Sequence, residues 1–175
     1  MLAFPAHIIV AADVSRGWLD SWIPPDDYTA PTSPPFLAAL EDLTRLNVDS
    51  LDVLLLAPPL PGPPSLPLTE APASNHPRVT RADHFRSDVR VWTSPAGLLI
   101  LGRGLAGRWE VAFEVPPDAR NRGNGRALAT AARHLVPTRR PVWAQCAPGN
   151  ATSLRTLLAA GYVPVGSEVL LTTPQ

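Results

Sequence analysis

Val115-Pro-Pro-Asp-Ala-Arg120-Asn-Arg122-Gly123-Asn-Gly125-Arg126-Ala-Leu128 is the stretch on which the reading of this chain turns. The aromatic and β-branched run Trp109 to Val115 predicts a strand leading into it, with Glu110 and Glu114 on one face. The alanine-rich run behind it predicts a helix ending before Pro137. Between the two, Gly123 and Gly125 let successive backbone N–H groups converge where the helix N-terminus points, a nest suited to a pyrophosphate. Arg120, Arg122 and Arg126 add positive charge around it. An ordinary glycine turn before a helix looks the same locally, so the loop needs a second motif to become specific.

Further along, Val142 to Ala147 predicts a strand, and Asn150 is a strong N-cap for a helix that ends at Gly161. Tyr162 to Val165 and Glu168 to Leu171 read as two short strands. Upstream, Val89 to Thr93 and Leu98 to Leu101 flank Ser94-Pro95-Ala96-Gly97, a hairpin signature, and Gly102 to Gly107 reads as another turn. His76 to Asp88 is ambiguous. In the first half, His7 to Val14 and Leu51 to Ala57 read as buried strands. Ser33, two prolines and then Phe36, Leu37, Leu40, Leu43 and Leu46 predict a helix over about residues 34–46. Residues 15–34 are irregular and anchored by Trp18, Trp22 and Tyr28. Residues 58–77, with eight prolines, read as an extended or mobile connection. The succession of strand, loop, helix, strand, helix and strand implies an α/β fold with a mixed sheet. It divides into a proline-rich region, 1–77, and a core, 78–175.

Composition bounds the function. All 15 basic residues are arginine, so no lysine can form a Schiff base or clamp a phosphate. Proline reaches 22, against ~5% in ordinary proteins, and 14 of these fall in residues 1–77. One cysteine, Cys146, excludes an intrachain disulfide and a multi-cysteine zinc site. No stretch approaches the roughly 20 apolar residues of a membrane span, and Met1 to Val10 lacks a basic n-region, so a cytoplasmic protein is expected. Residues 1–75 carry nine acids and two arginines, and residues 76–175 thirteen arginines and six acids. A basic half suits an anionic ligand, although the two halves could equally pair with each other.

The second motif is Asn150-Ala-Thr-Ser153, followed by Gly161-Tyr162. Arg120-Asn-Arg-Gly123-Asn-Gly125 after a strand, and then this pair, resemble the two signatures of the GNAT superfamily of N-acetyltransferases, in order and correctly spaced. The clear match covers residues 109–171; the proline-rich first half is unlike the usual family N-terminus. The resemblance implies a GNAT-like mixed sheet, flanked by helices, that splays open where strand 109–115 parts from strand 142–147. It implies acetyl-coenzyme A as the cofactor. The pantetheine arm is expected along the backbone from Phe113 to Val115, and the pyrophosphate on Arg120, Arg122, Gly123, Asn124, Gly125 and Arg126. Asn150 and Ser153 are expected to face it, with no metal involved.

Acyl transfer to an amine needs a base, a donor for the thioester carbonyl and an acid for the leaving thiolate. The resemblance implies a strand carboxylate as base, Glu110 or Glu114, with Glu110 preferred; a salt-bridged or solvent-facing carboxylate is the plain alternative for each. Many members carry a tyrosine as acid where this chain has Leu157. Tyr162 corresponds to a packing aromatic, Tyr28 is remote in sequence, and Cys146 reads as a small buried hydrophobe. His84 and His134 are bases only in principle. The acceptor is expected to be a small-molecule or peptide amine, and Trp18, Trp22, Tyr28 and nearby aspartates could line its site or merely pin an irregular segment. A CoA-binding sensor or interaction module that has lost catalysis is the second reading. The loop lacks the Lys-Ser/Thr of a P-loop and the full dinucleotide spacing, and the arginines accompany no reading helix, so no nucleic-acid partner is expected. Nor is a membrane partner; the protein is expected to be a monomer or homodimer.

Overall fold

β-branched runs become strands here and first-turn prolines become helix starts, in a computed structural model that describes residues 1–72, 74–137 and 140–174. The first half forms β1 (Leu2–Phe4), β2 (His7–Ile9), α1 (Arg16–Trp22), α2 (Pro34–Thr44), β3 (Asn47–Ala57) and β4 (Thr69–Ala71). The second forms α3 (Pro77–Phe85), β5 (Ser87–Ser94), β6 (Gly97–Arg103), β7 (Trp109–Glu114), α4 (Asn124–Ala132), β8 (Val142–Cys146), α5 (Ala151–Ala159) and β9 (Val163–Thr172). The fold is α/β with a mixed sheet. The chain divides into two units, residues 1–54, 145–149 and 165–175, and residues 55–144 and 150–164.

In the first unit the strands follow the order β2-β1-β9-β3. β1 and β2 form a hairpin, Leu2↔Ile9 to Phe4↔His7, turned by Ala6 at φ 56°. The buried strand expected from His7 to Val14 shrinks to three residues, because β2 lies at a sheet edge with His7 and Ile9 exposed. The two strands expected after Tyr162 are one, β9, paired antiparallel with β1 at Leu2↔Glu168 and Ala3↔Ser167. Gly166, which reads as a break, is a close approach: a Cβ there would stand 2.2 Å from the Ala3 carbonyl oxygen. Helix α2 starts as expected, with Ser33 Oγ accepting from the Phe36 N–H at 3.4 Å. It ends at Arg45 in the left-handed region, φ 59°, short of Leu46. Phe36 and Leu40 are fully buried, and Trp18 lies 5.8 Å from the Phe36 ring.

In the second unit the order is β8-β7-β6-β5-β4. The β5–β6 hairpin closes at Ser94↔Gly97, and β6–β7 runs in unbroken register from Leu98↔Glu114 to Arg103↔Trp109. Strand β6 therefore extends into the segment 102–107 that reads as a turn, leaving a short 3₁₀ turn at Leu105–Gly107. The ambiguous segment is α3, whose Val79 and Ala82 pack on Val91 and Ile100. Helix α4 takes the opposite face, since Phe113 reaches its first turn while Ala112 faces α3. The proline-rich connection is fastened rather than loose. Leu60 N–H donates to the Arg133 carbonyl at 2.8 Å, Arg133 Nε donates to Pro58 O at 2.9 Å, and β4 pairs with β5.

Candidate functional site

Strands β7 and β8 run parallel and pair at Trp109↔Val142 and Glu110↔Trp143. Val111 to Glu114 continue past the last paired residue, so the β7 backbone there is free of this ladder. At the end of β7 the chain enters a loop braced from within. Arg120 Nε donates to Val115 O at 3.1 Å, and Asn124 Nδ2 donates to Ala119 O at 2.9 Å. Asn121 and Gly123 both take positive φ, 60° and 80°. At Gly123 the left-handed conformation turns the chain into α4, and a Cβ there would meet nothing within 4 Å, only open space. Gly125 is a packing glycine instead, since its Cβ would lie 3.0 Å from Thr156 Cγ2.

The N-terminus of α4 differs from the rest. Ser15, Ser33, His76 and Asn150 each cap their helix with a side-chain acceptor, whereas α4 begins at Gly123 with no side-chain cap. Its first intrahelical bond comes from the Ala127 N–H to Gly123 O at 3.0 Å, leaving the amides of Asn124, Gly125 and Arg126 ahead of the ladder. These three residues line a cavity of about 740 Å³, together with Arg78, Arg120, Arg155 and a single carboxylate, Glu114. An uncapped helix end beside Arg120, Arg126 and Arg155 is chemically suited to an anion, while Arg78 is engaged with Glu114.

Nine of the ten residues expected at a cofactor line this cavity: Phe113, Val115, Arg120, Gly123, Asn124, Gly125, Arg126, Asn150 and Ser153. Arg122 does not, and is exposed. Asn150 caps α5 as expected, accepting from the Ser153 N–H at 3.0 Å. Sequence reading passed over Arg78, Thr152, Arg155 and Thr156. The last three share one helical face with Ser153 behind the Asn150 cap, a spacing that could have flagged them. Arg78 arrives from α3 and carries no such signal.

The two candidate carboxylates separate. Glu110 is 4% exposed; its carboxylate accepts from Arg108 Nε at 2.6 Å and pairs with Arg86 Nε at 2.9 Å. Burial lowers the Arg86 pKa, and Glu110 pulls it back up. Glu110 is thus held by two largely covered guanidiniums and does not line the cavity, so geometry favours Glu114 over it as the candidate base. Glu114, on the same face, opens into the cavity; it accepts from Arg78 Nε at 2.6 Å, and His76 Nε2 stands 4.0 Å away.

None of the other expected acids and bases lines the cavity. Leu157 is buried. The Tyr162 hydroxyl donates to Ala129 O at 3.1 Å, and burial pushes its pKa far up against the opposing pull of Arg133. Tyr162→Phe should therefore cost about 1 kcal/mol in chemical denaturation and leave any turnover unchanged. His134 Nδ1 faces the carbonyls of Pro61 and Gly62, and His84 stacks edge-on against Phe85. Burial, then the Asp52 carboxylate, raise the Cys146 thiol pKa. In the first unit Trp18 packs on Phe36, which fits the anchoring role, while Trp22 and Tyr28 are exposed. Among the described residues no cluster of His, Cys, Asp and Glu could hold a metal ion, and no helix is long and apolar enough to cross a membrane.

No family model and no curated protein matches the sequence. Solved structures similar to the chain include a GCN5-related N-acetyltransferase from Kribbella flavida, 20% identical with a TM-score of 0.48, covering 83% of this chain and 66% of that one. Another is a GCN5-related N-acetyltransferase from Sphaerobacter thermophilus, 14% identical with a TM-score of 0.44, covering 79% of this chain and 56% of that one. The chain thus spans less than two thirds of the length of either. Likeness of this degree bears on neither activity nor site residues.

Proposed function

We propose that the cavity of the second unit binds acetyl-CoA and that the chain is an acetyltransferase acting on an amine. The observation that carries this reading is the uncapped α4 N-terminus behind Gly123, set among arginines and next to the stretch of β7 that continues past its pairing with β8. The residues present fit a pyrophosphate-bearing ligand: the cradle at Gly123 is open where any side chain would fill it. Arg120, Arg126 and Arg155 would balance the phosphate charge, and the amides of Asn124 to Arg126 would donate to its oxygens. The backbone from Phe113 to Val115, which lines the cavity, would hold the extended arm. Bound acetyl-CoA would supply the activated acyl group. Glu114 would orient the incoming amine and take up its proton, in place of Glu110.

Calorimetric titration with acetyl-CoA is expected to give one site with a low-micromolar Kd that weakens as salt rises. A folded protein that takes up no heat with acetyl-CoA would overturn the reading. Leu157, buried where many relatives of this kind carry a phenol, favours a second reading, a CoA-binding module without turnover. Acetyl-CoA consumption in the presence of an acceptor amine separates the two.

A further inference from the structure

From the groups around Glu114 we infer the class of acceptor: a primary amine with a carboxylate on the neighbouring carbon, that is, a free α-amino acid. The inference rests on the acetyltransferase reading for its chemistry, but not for its binding site. Arg78 and Glu114 line the cavity, and His76 stands next to Glu114. Glu114 ends β7, and Arg78 and His76 begin α3. Arg78 Nε donates to Glu114 Oε2 at 2.6 Å, and His76 Nε2 stands 4.0 Å from Glu114 Oε1. His76 Nδ1 accepts the Arg78 backbone N–H at 3.2 Å as the cap of α3. A neutral His76 therefore carries its proton on Nε2, turned towards the cluster as a second donor beside the guanidinium.

The charge of the cavity selects among amines. Four arginines and one glutamate line it. Phosphates would neutralise those near the α4 N-terminus, but Arg78 is engaged with the only carboxylate there. A simple ammonium ion must compete with Arg78 for Glu114 and leaves that guanidinium without a counter-ion. A zwitterion exchanges partners instead: its ammonium takes Glu114, and its carboxylate takes Arg78 and the His76 Nε2–H. The exchange is easy because the Arg78–Glu114 pair is half exposed, and exposed pairs hold weakly. A bidentate guanidinium–carboxylate contact then favours the acid over its amide.

Two readouts test this on the full chain. The first is the His76 imidazole ¹H–¹⁵N signal, without any CoA, titrated with the twenty amino acids and then, for the best, its amide and its decarboxylated amine. A shift with the amino acid, and a Kd at least about tenfold tighter than for the amide or amine, is expected. Arg78→Leu should erase that preference while the acetyl-CoA Kd stays within about twofold, and Arg78→Lys should restore part of it. The second readout is acetylation of the same three compounds, with the same order expected. Equal or better binding of amide or amine, or no shift with any amino acid, overturns the inference whether or not acetyl-CoA binds. An acetyl-CoA Kd that collapses in Arg78→Leu with the amino-acid preference intact also overturns it, by assigning Arg78 to the phosphates. Loss of acetyl-CoA binding in the wild type sinks the acetyltransferase reading alone.

Discussion

Gly123→Glu is expected to weaken acetyl-CoA binding at least ~100-fold, about 2.7 kcal/mol, which calorimetry would read as loss of measurable heat. A Cβ at this position meets no protein atom within 4 Å, and Gly123 lines the cavity, so the added side chain has open space on the ligand's side. A carboxylate there stands where the ligand's phosphates would lie and satisfies the α4 N-terminus itself. Backbone strain is the competing effect, since φ at this residue is +80°, and it should cost about 1–2 kcal/mol of stability. Gly123→Asn separates the two, because asparagine tolerates the left-handed region and carries no charge. Its stability should fall less and its affinity should lie between the wild type and the glutamate variant. Wild-type affinity in Gly123→Glu would mean that the nest is not where acetyl-CoA binds.

Glu110→Ala is expected to destabilise the protein by about 3–5 kcal/mol, read as a lower urea midpoint, because it removes the buried carboxylate that Arg86 and Arg108 share. Arg86 would then keep the burial that already lowers its pKa, together with repulsion from Arg108 and Arg81, and lose the carboxylate that opposes them. The site has no slack: a Cβ on Gly104 would lie 2.2 Å from Glu110 Oε1. Glu114→Gln, by contrast, breaks a half-exposed pair and should stay within about 0.5 kcal/mol of the wild type while lowering turnover. A Glu110 variant of full stability but no turnover would return the base to Glu110.

What could be read from the sequence was local chemistry. Gly123 turns the chain into α4 through its own left-handed φ, and Asn150 caps α5 by a contact three residues long. The β5–β6 hairpin declares itself through Ser94 to Gly97. What escaped depends on distant partners. Glu110 looks like any strand carboxylate until Arg86, 24 residues upstream, turns towards it. Arg78 meets Glu114 across 36 residues, through a helix whose period is blurred by polar residues. Gly166 reads as a strand end because nothing local reveals that the Ala3 carbonyl passes over it. The short β2 reads as part of a buried strand because hydrophobicity does not say which strand of a sheet is last.

The pairing of β1 with β9 has a consequence for synthesis. The meander β5–β6–β7 joins residues within 28 positions of one another, so it can form as soon as that stretch leaves the ribosome. β1 must wait until Ser167 and Glu168 are made. A chain halted at Pro164 would carry a first unit without the strand that separates β1 from β3, its edges open to other chains. Truncated forms of this protein should therefore collect as aggregates rather than as half-active fragments.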